Sequence, residues 1–241
     1  MATVLLVRHG RTTANTAGVL AGRTAGVRLD DLGEVQATKA GERLARLSLR
    51  AVVSSPLERC RQTARHLAAA QSAPPAVTRE KDLSEVDYGE WTGQTIKTLA
   101  KQPLWRTVQA HPAAVTFPGG ESMAAMSARA VAAVRRWDAR VEAEHGTDAL
   151  WVAVSHGDLI KAILADALGL HLDTFQRIVV DPASISVVRY APGRPFVLMT
   201  NTHEGDLGHL APPARLARRR ARRAASDSDA TVGGGAGPAK A

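Results

Sequence analysis

The chain has 241 residues, of which 45% are hydrophobic, and it carries a formal net charge of +8 at neutral pH. This length and composition suit one globular domain and exclude a chain too polar to bury a core. The single cysteine, Cys60, excludes an internal disulfide and a cysteine-based metal cluster, so a reducing, cytoplasmic location is expected.

The positive charge is concentrated near the C-terminus. Residues 211–241 contain seven basic and two acidic residues, which leaves +3 for residues 1–210. Because the segment is poor in large apolar side chains, we predict one folded domain over 1–210 and a disordered basic tail over 211–241. The tail has no aromatic residue to stack on bases, which disfavours a nucleic-acid partner. No apolar stretch of the sequence has bilayer-spanning length, so no membrane partner is expected.

The first half of the chain alternates strand and helix patterns. The run TVLLV at 3–7 predicts a buried strand, and apolar residues recur at helical spacing over 33–47. A β-branched run at 51–55 precedes a helix that is expected to end near Ala70. A short strand over 76–79 then leads into the loop DLSEVDYGEWTG, whose polarity is typical of a functional loop.

The second half continues the pattern. A long amphipathic helix is predicted to begin near Ser122, and the apolar run at 149–155 predicts a strand that is followed by a further helix. Two late strands, over 184–190 and 196–201, are close enough to form a hairpin at a sheet edge. The expected fold is a single-domain α/β protein, a three-layer α/β/α sandwich with a mostly parallel sheet and an antiparallel edge strand. An exposed edge strand would also permit a homodimer.

Two histidines follow predicted strands directly. His9 comes after the strand at 3–7 with Arg8 between them, and His156 comes after the strand at 149–155. In parallel sheets, ligands bind beyond the carboxyl ends of the strands. If the two strands are neighbours, both imidazoles reach the same crevice.

Six short segments occur in a fixed order between residues 3 and 202. They are Arg8-His9-Gly10 with Thr12 and Asn15; LDDLGEVQA at 29–37; SSPLERCRQTA at 54–64; LSEVDYGEWTG at 83–93; PGGES at 118–122; and Ser155-His156-Gly157. Together they resemble the histidine phosphatase superfamily, which includes the cofactor-dependent phosphoglycerate mutases. Each segment alone is a weak signal, and the ordered combination is specific.

The resemblance implies a catalytic set of three residues. His9 would attack phosphorus and form a phosphohistidine while its other ring nitrogen is held by a backbone carbonyl. Glu85 would give a proton to the leaving group, and His156 would stabilise charge in the transition state. No metal and no bound cofactor are implied.

The resemblance also implies a set of groups that bind the phosphate. Arg8 and Arg59 suit this task because the guanidinium group offers a planar fork of donors. Asn15 would add a neutral donor, and Gly157 belongs to the same predicted phosphate site.

Two further residues near these motifs need an interpretation. Asp158 follows His156-Gly157, and a distant branch of the superfamily uses an aspartate directly after its second histidine as the acid. Here a glycine intervenes, so we interpret Asp158 as a helix N-cap in preference to an acid. Cys60 is interpreted as a small core residue.

The expected activity is hydrolysis of a phosphomonoester, with a small phosphorylated metabolite as substrate. A mutase must exclude water, and in the mutases that this sequence resembles a long insertion before PGGES helps to close the site. Only residues 91–117 lie there in this chain, which favours a phosphatase. A phosphoglycerate-type mutase is the alternative, and a non-catalytic module that binds a phosphorylated ligand is a third hypothesis.

Overall fold

The computed structural model describes residues 2–191 and 193–203. The predicted tail over 211–241 and the predicted domain limit at residue 210 lie outside the described residues. Among the residues described, no helix is both long and apolar enough to cross a bilayer.

Within the described residues, six strands form one sheet: β1 (Thr3–Arg8), β2 (Leu49–Ser54), β3 (Val77–Arg79), β4 (Leu150–Ser155), β5 (Ile185–Ala191) and β6 (Arg194–Thr202). Their order across the sheet is β3-β2-β4-β1-β5-β6. The first four strands along the chain are parallel, and β5 pairs antiparallel with both β1 and β6. The mostly parallel sheet with antiparallel pairing at one edge confirms the predicted fold class.

Helices cover both faces of this sheet. They are α1 (Thr13–Thr16), α2 (Asp31–Leu44), α3 (Glu58–Ala69), α4 (Ile96–Leu99), α5 (Pro103–Ala110), α6 (Met123–His145) and α7 (Gly157–Ala167), with 3₁₀ helices at Lys81–Leu83, Gly89–Trp91, Pro112–Ala114 and Leu172–Arg177. On one face, Leu44 and Leu67 from α2 and α3 belong to the same buried cluster as Val152. On the other face, Met126 and Ile163 from α6 and α7 join the cluster that contains Leu6.

Element boundaries differ from the sequence predictions by a few residues. Helix α2 begins two residues before Gly33 because the Asp30 carboxylate accepts a hydrogen bond from the Gly33 amide at 2.8 Å and caps the first turn. The helix also ends at Leu44 rather than at residue 47. The long helix α6 begins at Met123 with Ser122 as its N-cap, which confirms that prediction.

Strands β1 and β4 are parallel neighbours, with Arg8 opposite Ser155 in the register. The chain therefore leaves both strands at the same edge of the sheet. The His9 amide donates to the carbonyl of Ser155 at 3.0 Å, so the pairing extends one residue past β1. The predicted meeting of His9 and His156 is confirmed, since their ring centroids are 5.3 Å apart.

Candidate active site

His9 is buried immediately after β1, and its two ring nitrogens have different partners. Nδ1 lies 2.7 Å from the carbonyl oxygen of Gly10, which can only accept a hydrogen bond, so Nδ1 carries the proton. Nε2 accepts a hydrogen bond from Nε of Arg59 at 3.3 Å. Burial, followed by the charges of Arg59 and Arg8, lowers the pKa of His9 well below its usual value of 6.5. The ring is therefore neutral at physiological pH, with an unprotonated Nε2.

The glycine after His9 allows a close packing of two backbone segments. A Cβ atom at Gly10 would lie 2.5 Å from the carbonyl oxygen of Gly33, so a larger residue would push the loop away from α2. The Gly10 amide donates to the hydroxyl of Thr63 on α3 at 3.0 Å. These contacts fix the carbonyl that holds the His9 ring.

Arg59 is 2% exposed and lies between the two histidines. Its Nη2 donates to the carbonyl of Gly22 at 2.8 Å and lies 3.2 Å from Nδ1 of His156. Its Nη1 is buried and has no hydrogen-bond partner among the described residues. A buried donor of this kind is rare unless a ligand or water completes its bonding, so it marks a place where an anion can bind.

Arg8, the last residue of β1, is fully buried. Its Nη1 donates to the carbonyl oxygen of Val180 at 2.9 Å. Burial lowers the pKa of Arg8, while Glu85, Asp181 and Asp158 oppose that shift. The two guanidinium groups of Arg8 and Arg59 thus give the edge of the sheet a positive potential beside His9.

His156 is fully buried at the end of β4. Its Nε2 lies 2.8 Å from the hydroxyl oxygen of Ser55, and its Nδ1 lies 3.7 Å from Oε2 of Glu85. Burial and then the Arg59 charge lower the pKa of His156 well below its usual value. The thiol of Cys60 lies 3.4 Å from Nε2, and burial raises the pKa of this thiol to about 12. Cys60 is therefore an uncharged, buried neighbour of the ring, as the interpretation as a core residue predicts.

Glu85 is buried in the loop that follows β3. Its Oε1 accepts from the Val86 amide at 3.0 Å. Burial and then the negative charge of Asp158 raise the pKa of Glu85 to about 7, against the opposing charge of Arg59. At neutral pH the carboxyl group is therefore present in both the protonated and the ionised form.

Two arginines hold the backbone of Glu85 in place. Its carbonyl oxygen accepts hydrogen bonds from Nε of Arg23 at 2.9 Å and from Nη2 of Arg129 at 3.1 Å. Both arginines also bind Oε1 of Glu121, which belongs to the PGGES segment. Arg23 and Arg129 thus connect the LSEVDYGEWTG loop, which contains Glu85, to the PGGES loop, which contains Glu121.

Five of the seven predicted site residues come together: Arg8, His9, Arg59, Glu85 and His156. The other two, Asn15 and Gly157, lie close in sequence to His9 and His156, but no hydrogen bond joins their side chain or backbone to these five in the described residues. Asn15 Oδ1 accepts hydrogen bonds from the amide and hydroxyl of Thr12, so its Nδ2 group is the part left for a ligand. Gly157 is the first residue of α7, where backbone amides are not used within the helix. Their predicted phosphate contacts stay predictions.

The interpretation of Asp158 as an N-cap is wrong. His156 occupies the N-cap position of α7, and Asp158 lies inside the first turn, fully buried. Its Oδ2 accepts a hydrogen bond from the hydroxyl of Tyr88 at 2.8 Å.

The contact between Ser55 and His156 was not predicted from the sequence, although Ser55 lies inside the SSPLERCRQTA motif. Among the described residues, no group of three or more His, Cys, Asp or Glu side chains is arranged to hold a metal ion.

A neutral histidine with an unprotonated nitrogen, two buried arginines and a carboxyl group that titrates near neutrality can together transfer a phosphoryl group. The family comparison agrees with this geometry. Residues 4–203 match the family model of the histidine phosphatase superfamily, branch 1. The chain belongs to this superfamily, as its motifs predict, and it is an enzyme of the phosphatase type.

The sequence alignments with known relatives cover most of the chain. It is 31% identical over 203 residues to phosphoserine phosphatase 1 of Hydrogenobacter thermophilus, a match that covers 83% of this chain and 92% of that protein. It is 34% identical over 227 residues to a probable phosphoglycerate mutase of Citrobacter koseri, covering 89% of this chain and 97% of that protein. Among solved structures, a mycobacterial glucosyl-3-phosphoglycerate phosphatase in complex with VO3 superposes with a TM-score of 0.74 at 27% identity, over 83% of this chain and 99% of that one.

Proposed function

We propose that this protein hydrolyses a small phosphomonoester through a phosphohistidine formed on Nε2 of His9. The observation that carries this proposal is the bond from Nδ1–H of His9 to the Gly10 carbonyl, which leaves Nε2 unprotonated in a buried, positively charged pocket. A nucleophilic imidazole needs this tautomer, and a phosphate dianion needs this charge.

In the first step, Nε2 of His9 attacks phosphorus as the bond to the ester oxygen breaks. The leaving alkoxide takes the proton of Glu85, so an alcohol departs and the carboxylate remains. Arg8 and Arg59 neutralise the oxygens of the phosphoryl group, and the unpartnered Nη1 of Arg59 supplies one donor for this purpose. Nδ2 of Asn15 and the amide of Gly157 add neutral donors to the same group.

In the second step, the Glu85 carboxylate accepts a proton from water, and the water oxygen attacks phosphorus. The bond between phosphorus and Nε2 breaks, inorganic phosphate leaves, and both His9 and Glu85 return to their starting forms. A pKa of about 7 suits a group that must act first as an acid and then as a base.

His156 assists through its Nδ1 atom. In the free site this atom lies 3.2 Å from Nη2 of Arg59 and accepts its hydrogen bond. When a phosphoryl group engages Arg59, Nε2 can lose its proton as Nδ1 takes one up, so the ring stays neutral and the hydroxyl of Ser55 turns to donate to Nε2. Nδ1–H can donate to a phosphoryl oxygen in that tautomer.

The short segment before PGGES favours hydrolysis over the mutase reaction, in which the phosphoryl group is returned to a second position of the substrate. Residues 91–117 form only the short helices α4 and α5 and one 3₁₀ turn. Trp91 and Trp105 stack on each other in this segment, with ring centroids 6.2 Å apart. Leu99 and Val108 of this segment are buried in the same core cluster as Leu6, so it offers little free chain for closing the site against water.

The substrate that we propose is a phosphorylated metabolite that carries a carboxylate. Two relatives are named for phosphoserine and for glucosyl-3-phosphoglycerate, and these compounds share a carboxylate close to the ester. The mutase alternative draws on the relative named as a probable phosphoglycerate mutase.

One experiment separates the three functional hypotheses. Phosphate release is measured for the wild type and for His9→Ala on phosphoserine, 3-phosphoglycerate and p-nitrophenyl phosphate, with formation of 2-phosphoglycerate followed with and without 2,3-bisphosphoglycerate. Release that requires His9 supports the phosphatase. Isomer formation without net release supports the mutase, and binding without either reaction supports the non-catalytic module. His66→Ala is the matched control, since His66 lies on the same helix as Arg59 but is bonded to Glu34.

We also propose a homodimer and a cytoplasmic location. The edge strand β6 exposes Phe196, Leu198 and Met199, an apolar surface that a second copy could cover. Leu198→Glu should convert a dimer to a monomer in analytical ultracentrifugation. The free thiol of Cys60 is compatible with a reducing compartment, and cell fractionation tests the location.

A further inference from the structure

A buried pair of opposite charges interacts electrostatically with Glu85, and the proposed mechanism does not use it. Asp158 is fully buried, and Nζ of Lys161 lies 3.9 Å from its Oδ1. Lys161 is itself only 4% exposed, and its Nζ also donates to Oε1 of Gln176 at 2.9 Å. Removing two charges from water is unfavourable unless their attraction and hydrogen bonds compensate, so stability alone is a weak reason for this pair.

The pair is tied to the loop of the proposed acid through Tyr88. Tyr88 is fully buried three residues after Glu85, and its hydroxyl donates to Oδ2 of Asp158. Asp158 in turn lies two residues after His156 on α7. The bond between Tyr88 and Asp158 therefore fixes the position of the Asp158 charge relative to Glu85.

We propose that Asp158 and Lys161 are positioning residues that act on Glu85 with opposite signs. The Asp158 carboxylate holds Glu85 protonated until the ester binds, and the Lys161 ammonium limits this effect so that the Glu85 carboxylate can form after proton transfer. The inference rests on the proposed function, because it requires Glu85 to be the acid. It does not depend on the identity of the substrate.

Charged and titratable groups of both signs surround this pair. Groups that interact electrostatically with Glu85 or with the pair are Arg8, Arg59, Cys60, Tyr88, His156 and Asp181. Among the charged groups, Asp158 has the largest effect on the pKa of Glu85 and raises it, whereas Arg59 and Arg8 lower it. Burial lowers the pKa of Lys161, while Asp158 and then Glu85 raise it. Lys161 thus interacts electrostatically with the carboxyl groups of both Asp158 and Glu85.

The test compares the pH dependence of kcat for an alkyl phosphate, whose poor leaving group needs the acid. The variants are Asp158→Asn, Lys161→Met and the double variant. Asp158→Asn should move the alkaline limb of the profile to lower pH by about one unit, and Lys161→Met should move it to higher pH. The double variant, which removes both charges, should restore a limb close to that of the wild type.

The matched control is Asp138→Asn. Asp138 is also a buried carboxyl group bonded to an aromatic donor, since it accepts from Nε1 of Trp151 at 2.9 Å, but Trp151 lies near the opposite end of β4 from His156. The alkaline limb should not move in this variant. Circular dichroism confirms that each variant is folded, and either single variant carries the test if the other does not fold.

Alkaline limbs that stay in place in the folded Asp158 and Lys161 variants would overturn the inference. Loss of alkyl phosphate turnover in Asp158→Asn with p-nitrophenyl phosphate turnover retained would overturn it too, because Asp158 would then be the acid itself. Glu85→Gln separates this failure from that of the proposed function. If Glu85→Gln abolishes the limb while the pair variants do not move it, the mechanism stands and only the role of the pair is wrong.

Discussion

The ends of β1 and β4 have the same pattern in sequence, an apolar strand that leads to His-Gly, but they hold their histidines differently. His9 is backed by a carbonyl oxygen, an acceptor that fixes one tautomer. His156 is backed by the hydroxyl of Ser55, which can donate or accept and therefore permits both tautomers. From this difference we infer that the hydrogen-bond partner of each ring decides its role: His9 attacks phosphorus, and His156 donates a hydrogen bond to a phosphoryl oxygen.

Removing the β1 histidine should have the largest effect. His9→Ala takes away the only proposed nucleophile, so we expect kcat to fall by roughly 10⁴-fold or more for every ester. The loss should be the same for good and poor leaving groups, because no phosphoenzyme forms. Phosphate release measured with p-nitrophenyl phosphate checks this, and near-wild-type turnover in pure protein would remove the distinction between the two histidines.

The acid beside the β4 histidine should show a dependence on the leaving group. Glu85→Gln should lower kcat by about 10²- to 10⁴-fold for alkyl phosphates and far less for p-nitrophenyl phosphate, which leaves without a proton. In the wild type, kcat for alkyl phosphates should fall as pH rises through about 7, since Glu85 then loses its proton. The variant should lack this limb. Equal losses for both esters would mean that the proton comes from elsewhere.

The β4 histidine should matter less than the β1 histidine. His156→Ala removes one donor to the transition state, for which a loss of about 10²- to 10³-fold in kcat is expected. The phosphoenzyme should still form, more slowly, in contrast to His9→Ala. Rapid-quench measurement of the phosphoenzyme distinguishes the two variants. If His156→Ala forms none and His9→Ala does, the roles are reversed.

The hydroxyl behind His156 should give the smallest effect. Ser55→Ala removes one buried hydrogen bond, and we expect about a tenfold loss in kcat. KM should change little, because Ser55 does not face the phosphate in this account. Ser55→Thr keeps the hydroxyl and should retain most of the activity. An equal loss in both variants would indicate a packing effect instead of a tautomer effect.

Much of this site follows from local sequence patterns. The meeting of His9 and His156 was predicted because each follows an apolar run, and parallel strands carry such residues to one edge. Their roles, and the phosphate contact of Arg8, were predicted through resemblance. Arg59 and Glu85 were predicted through resemblance, since their helix and loop have no pattern that points to phosphate.

The remaining contacts depend on the tertiary structure. Ser55 and His156 are 101 residues apart, and no periodicity indicates that they meet. Asp158 has the residue type of an N-cap, but the helix begins two positions earlier than that interpretation requires. Arg129 lies on a long helix in no motif, yet it binds the Glu85 carbonyl. Spacing along the chain cannot predict such contacts, because they depend on how separate elements pack.

The residue that carries the phosphoryl group distinguishes the proposed roles of the two histidines most directly. Wild-type protein is mixed with phosphoserine or p-nitrophenyl phosphate, quenched in base within milliseconds, digested and mapped by mass spectrometry. We expect a base-stable, acid-labile phosphoryl group on His9 that appears and decays at rates compatible with kcat and is absent in His9→Ala. A phosphoryl group on His156 or on any other residue, with the same kinetics, would contradict the proposed roles.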